Sequence, residues 1–156
     1  MERVTSESLE WSESGGSGGI RRKHLGEEGD GDDIGCSLYE LPPGEASWPY
    51  HYHTANEEAL YVLDGTGTLR ADGGEHDLSA GDYVSLPADE SGGHRVVNDS
   101  AEPLRYLAVS TMNEPDVTVY PDAGRFGVFV GSPPGGRGER TLHGYYRIED
   151  DVPYPE

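Results

Sequence analysis

The sequence predicts an all-β domain, a sandwich or a barrel, and three observations carry that prediction. Between residues 34 and 111, short runs of β-branched, aromatic and leucine residues recur roughly every eight to twelve positions, separated by turn residues. "DGTG" and "DGG" supply the positive-φ residues that tight hairpins need. No stretch holds a sustained helical period, and 23 Gly and 11 Pro in 156 residues favour turns over helices.

Taken in order, residues 1–33 read as a flexible acidic N-terminal arm. "SESGGSGG" has the composition of a flexible linker and "GEEGDGDDIG" that of an acidic loop. "IRRKHLG" between them is either a short strand or an arm that docks on the domain. Residues 34–111 form the barrel core, with strands expected at 35–41, 59–63, 68–71, 76–78, 83–86, 95–97 and 104–110. The strand "ALYVL" is apolar on both faces, Leu60 and Val62 on one and Ala59, Tyr61 and Leu63 on the other. It is therefore expected to be covered on both sides, by the barrel interior and by the N-terminal arm or a partner subunit. Residues 112–156, with "PDVTVYP", "RFGVFVG", a Pro and Gly-rich loop at 132–138 and "LHGYYRIEDDVPYP", read as further strands that wrap the core.

Thirty Asp and Glu against eleven Lys and Arg give a net charge of -19. A field of that sign repels phosphate backbones and anionic lipid heads, so neither nucleic acid nor a membrane surface is an expected partner. The acids come in short groups such as Glu27, Glu28, Asp30, Asp32 and Asp33, or Glu149, Asp150 and Asp151, and they also punctuate the middle of the chain. This pattern favours a solvated acidic surface suited to concentrated salt over a disordered acidic tail. A single cysteine, Cys36, has no partner for a disulfide or a CxxC metal site and reads as a small residue packed in a strand. No segment approaches a membrane span and "MERVTSESLEW" lacks an apolar signal core, so the expected location is cytoplasmic.

The chemistry concentrates in "HYHTANEE", residues 51–58. On an extended segment His51 and His53 leave the same face while Tyr50 and Tyr52 leave the other. Convergent imidazoles with a nearby carboxylate suit a divalent ion of the first transition row. Of the two acids that follow, Glu58 shares a strand face with Leu60 and Val62, the face directed into the barrel, and Glu57 does not.

The run "GEASWPYHYHTANEEALYVLDG", from Gly44 to Gly65, resembles the first sequence motif of the cupin family. It has a glycine, then HxH, four residues, Glu, six residues and Gly. "GDYVSLPADESGGHRVVN" resembles the second, with Gly81, Pro87, His94 and Asn98 in their places. The chain departs from the pattern with one extra residue before His51 and about two between Pro87 and His94, insertions that loops tolerate. "LGCSLYELPPG", "SWPYHYH" and "PLRYLAVSTMNEPDV" are also similar to flanking segments of small single-domain cupins. The resemblance implies a double-stranded β-helix, a jelly-roll-like barrel, in which His51, His53, Glu58 and His94 converge on one divalent metal ion per chain, Mn, Fe, Ni, Co or Zn. It also implies a small-molecule ligand and a homodimer.

Four protein ligands close a tetrahedral site but leave two positions open on an octahedral ion, where an enediol, a 2-oxo acid or a catechol-like group could bind. Three roles follow: a metal-dependent oxygenase, isomerase or decarboxylase acting on a small oxygenated metabolite, a non-catalytic binding or sensing module, or an interaction module with a structural zinc. Tyr50, Tyr52, Arg70, Tyr83, Arg95 and Arg105 occupy plausible cup positions for a proton-transfer group. The other histidines, His24, His76 and His143, are not assigned to the metal.

Overall fold

The computed structural model describes residues 1–14 and 19–155, so the middle of "SESGGSGG" lies outside the described residues. In chain order its strands are β1 Ser12–Ser14, β2 Ile20–His24, β3 Ile34–Leu41, β4 Tyr52–His53, β5 Glu58–Asp64, β6 Thr66–Ala71 and β7 Gly74–Ser79. They continue with β8 Tyr83–Leu86, β9 His94–Val97, β10 Leu104–Thr111, β11 Asp116–Tyr120, β12 Arg125–Val130 and β13 Leu142–Arg147. A four-residue helix, α1 Leu25–Glu28, and a few 3-10 turns complete the elements, and no described helix is long and apolar enough to cross a membrane.

One wall is a six-stranded antiparallel sheet in the order β1-β2-β3-β10-β5-β8. The other is made of a three-stranded sheet, β7-β6-β9, and a four-stranded one, β13-β12-β11-β4, joined where His51 bridges His94. Between the walls lies an apolar core that includes Tyr39, Leu41, Leu60, Val62, Val96 and Tyr106. This is the jelly-roll barrel expected from the sequence. Glycine is required at Gly65, whose φ is +85° and where a Cβ would lie 2.5 Å from the Pro103 carbonyl oxygen.

Every strand expected between residues 34 and 111 is present, with ends shifted by at most two residues. "IRRKHLG" takes the strand alternative: β2 pairs antiparallel with β3, and Ile20 is buried in the core. Lys23, also buried, donates from Nζ to the Ser6 carbonyl at 2.7 Å and lies over the Trp11 ring. On the same face of the sheet as Lys23, the buried Glu40 is held by Arg21 and Arg105.

Within the single chain β5 is covered on its inner side, and the N-terminal arm does not supply the second cover. Leu60 and Val62 face the core, but Tyr61 and Leu63 are each 43% exposed. The N-terminal segment satisfies the main-chain edge of β3 rather than lying across the outer face of β5, because an unpaired strand edge is the stronger acceptor for an extended segment.

The register of the large wall places the site. Residues directly opposite in an antiparallel sheet point to the same face. Arg22, Tyr39, Tyr106 and Val62 form one inward rung, and His24, Ser37, Ala108 and Leu60 form the next. Gly35, Ser110 and Glu58 form the third.

Candidate metal centre

β4 is two residues long and gains its place from neighbours on both sides. His51 exchanges main-chain hydrogen bonds with His94 at 3.2 and 2.9 Å, while His53 pairs with Thr118 of β11. The HxH segment is thus held extended between β9 and β11, which turns both rings inward, as its period predicts. Glu58 approaches from the opposite wall, at the start of β5.

Ligand atoms of His51, His53 and Glu58 lie within 4.8 Å of one another. His53 Nε2 and His94 Nε2 are each 3.6 Å from Glu58 Oε2, and the His51 and His94 rings are 4.8 Å apart. All four residues named from the sequence are therefore brought together, with Glu58 rather than the exposed Glu57 as the acid. The 3.6 Å separations are too long for hydrogen bonds, so the nitrogens face the carboxylate without bonding to it.

What orients the rings is the partner of each Nδ1. His51 Nδ1 lies 2.8 Å from the Pro49 carbonyl, His94 Nδ1 3.0 Å from that of Gly92, and His53 Nδ1 2.6 Å from Asp116 Oδ2. An acceptor at Nδ1 keeps the proton there and leaves the Nε2 lone pair directed at the centre. Burial, reinforced by the neighbouring His94 and His53, lowers the pKa of His51 to about 3, and burial lowers that of His94 to about 4. Burial also works against a charge on His53, but the hydrogen bond to Asp116 and the nearby Glu58 carboxylate outweigh it and raise its pKa. Two neutral imidazoles, a third backed by a carboxylate, and an acid make a donor set that fits a divalent first-row ion, and His51, His53 and Glu58 alone form a cluster that could hold one.

Asp116 was not singled out in the sequence. It is fully buried, its Oδ1 accepts from the Ala55 amide at 3.0 Å, and it is 63 residues from the histidine it orients. The available signal was the alternation in "DVTVY", which puts Asp116, Thr118 and Tyr120 on one face. Thr118 Oγ1 lies 3.2 Å from His53 Nδ1, and the Tyr120 ring stacks 5.8 Å from that of His51. The insertion before His94 also has a use. Gly92 packs against the Pro87 carbonyl where no Cβ fits, and its own carbonyl is the one that orients His94.

Behind Glu58 a cavity opens into the large wall, lined by Arg22, His24, Ser37, Ala108 and Ser110, with Gly135 of the loop after β12 at its edge. None of the six residues considered for proton transfer lines it. Arg70 pairs with Asp122 and lies 4.3 Å over the Tyr50 ring, and Arg95 shares its rung. Arg105 is committed to Glu40, Tyr83 is 67% exposed, and Tyr52 lines a depression on the outside with Thr54 and Ala88. Cys36 is half-buried in β3, where burial raises its pKa. His76 is exposed, and His143 joins Phe129 and Tyr145 in an aromatic cluster. His24, left unassigned by the sequence, lines the cavity.

A family model described as a cupin domain matches residues 37–110. Among solved structures, a sugar phosphate isomerase of a cupin superfamily from Silicibacter pomeroyi is 26% identical, with a TM-score of 0.79 over 97% of this chain and 96% of its own. A protein from Acidithiobacillus ferrooxidans with the same proposed activity is 28% identical, with a TM-score of 0.74 over 88% of this chain and 81% of its own. A predicted oxalate decarboxylase from Thermotoga maritima is 26% identical, with a TM-score of 0.60 over 70% of this chain and 97% of its own. No curated protein matches the chain.

Proposed function

This chain belongs to the cupin family, and from that premise we propose that it is a metal-dependent enzyme of the isomerase type, acting on a small metabolite with neighbouring carbonyl and hydroxyl groups. The observation that carries the reading is the meeting of three oriented imidazoles and the Glu58 carboxylate beside a cavity. The isomerase type is favoured over oxygenase and decarboxylase by the two likenesses with that printed or proposed activity, which also cover more of this chain than the decarboxylase does.

In this reading His51, His53, Glu58 and His94 hold one divalent ion. When bound there, an octahedral ion with two open positions supplies Lewis acidity to a bidentate substrate. Isomerisation also requires a group that moves a proton between adjacent carbons. His24 is placed for this: it lines the cavity, and its Nδ1 lies 3.1 Å from Glu27 Oε2. Burial and the charge of Arg22 lower its pKa, so it is neutral and able to accept a proton near pH 7. The Glu27 carboxylate stands beside the ring without a hydrogen bond to it, so His24 Nδ1 is not committed to a partner.

The test begins with elemental mass spectrometry on protein purified without added metal. Manganese, iron, cobalt or nickel near one per chain is expected, falling to near none in a His51→Ala, His94→Ala double variant that keeps its circular dichroism spectrum. Metal-loaded protein should then exchange a carbon-bound proton of an aldose or ketose phosphate with deuterated solvent, followed by proton NMR. Unchanged metal in the double variant, or loaded protein that exchanges no proton, would sink the proposal.

A further inference from the structure

We infer that Arg22 binds an anionic group of the substrate, phosphate or carboxylate, and that the N-terminal segment thereby forms part of the binding site. The inference rests on the reading of the cavity as the place where substrate meets metal.

The argument starts from charge. Among the described residues Arg22 enters no ion pair, whereas Arg21, Arg70, Arg105, Arg137 and Arg147 each have a carboxylate partner. Arg3, Arg95, Arg125 and Arg140 also lack a carboxylate partner among the described residues, but of these five arginines Arg22 is the one whose side chain lines the cavity beside Glu58, half-buried and with no carboxylate bound to it, so its charge is available to an anionic ligand. Its Nε is spent on Ser37 Oγ at 3.0 Å, and its plane lies over the Tyr39 ring at 5.4 Å. These contacts aim the side chain without neutralising it.

The two terminal nitrogens remain for a ligand. A Cβ at Gly135 would lie 3.2 Å from one of them, so glycine at this position, where φ is +84°, leaves that approach open. A planar fork of N–H donors matches the two oxygens of a phosphate or carboxylate. The acids that share the cavity do not compete for it: Glu27 is engaged by Arg137, and Glu58 stands at the far end with the histidines.

Register also sets a length. The rungs of Arg22 and Glu58 are four residues apart along the strands, from Val62 to Glu58. That is about 13 Å of backbone, shortened by the reach of both side chains. A ligand with oxygens at the metal and an anionic group several bonds away spans that gap. A free carbonyl compound without such a group would leave the guanidinium unpaired.

Isothermal titration of the full chain, both metal-loaded and chelator-stripped, against inorganic phosphate and against malonate tests the assignment. Wild type should bind one or both anions in either metal state, and the stronger one names the group. Arg22→Gln should weaken that binding at least tenfold in both states while keeping its metal stoichiometry, and Arg22→Lys should retain part of it. Equal binding by Arg22→Gln, loss of wild-type binding on metal removal, or binding of neither anion by wild type would each overturn the inference. Failure of the metal reading is visible separately, as wild-type protein that holds no metal yet still binds the anion.

Discussion

The wall built from β4 and β9 and the wall built from β2 and β3 enclose the same cup with opposite chemistry. The first presents His51 and His94, kept neutral by burial and each aimed by a carbonyl behind it, with His53 backed by Asp116. The second presents a guanidinium and a histidine, supplied by a segment more than twenty residues before the HxH motif. In the proposed reading the difference teaches how a strongly acidic protein can keep an anion-receptive pocket: His51 and His94 stand where burial suppresses charge, and the guanidinium of Arg22 stands on the other wall, away from them.

The comparison breaks most severely at His53. His53→Ala removes a proposed ligand and leaves the buried Asp116 without its imidazole partner, a change that costs about 3–5 kcal/mol when a buried charge loses its counterpart. Stoichiometric metal should be lost and the melting temperature should fall by many degrees; a variant that melts like wild type would show that Asp116 does not depend on the ring. Next in size is Asp116→Asn, which keeps the shape but not the charge behind His53. Metal affinity should fall by about 10–100-fold in competition with a chelator. Phosphate binding in the stripped protein should stay unchanged, so that the two walls respond independently.

The pH dependence of the metal-free protein sharpens the same contrast. His51 and His94 have folded pKa values below the ordinary 6.5, so the unfolded chain takes up their protons first as pH falls. The stability associated with their neutral forms is present above 6.5 and is lost as pH drops through about 4 and then 3. His53 has a raised pKa, so its contribution is complete below 6.5 and is lost as pH rises through the folded value. The melting temperature should peak near 6.5 and decline on both sides, and His53→Ala should remove the alkaline decline. A profile that rises steadily to alkaline pH would contradict the His53 assignment. The smallest effect is that of salt. From low to molar salt the melting temperature should rise by a few degrees as the self-repulsion of 30 acids is screened, while anion affinity at Arg22 falls. A flat or falling melting curve would remove salt adaptation from the expectations.

What the sequence by itself determined is local. Strand positions follow from apolar runs and turn residues, and the spacing in "HYHTANEE" puts two rings on a single face of an extended segment, whereas Glu58 meets them only because the chain turns into β5 on the opposite wall. His94 was legible only through the resemblance of "GDYVSLPADESGGHRVVN" to the second cupin motif. Only the tertiary structure decided which way the other candidates turn. A strand has a side-chain period of two, so an uncertainty of one residue in register exchanges the cavity for solvent. That is why Arg70, Arg95 and Tyr83 sit outside, why Tyr61 and Leu63 stay exposed, and why Arg22 and His24 line the cup. Asp116 lies beyond any local reading, since the contact that makes it part of the site spans 63 residues and exists only once β11 pairs with β4.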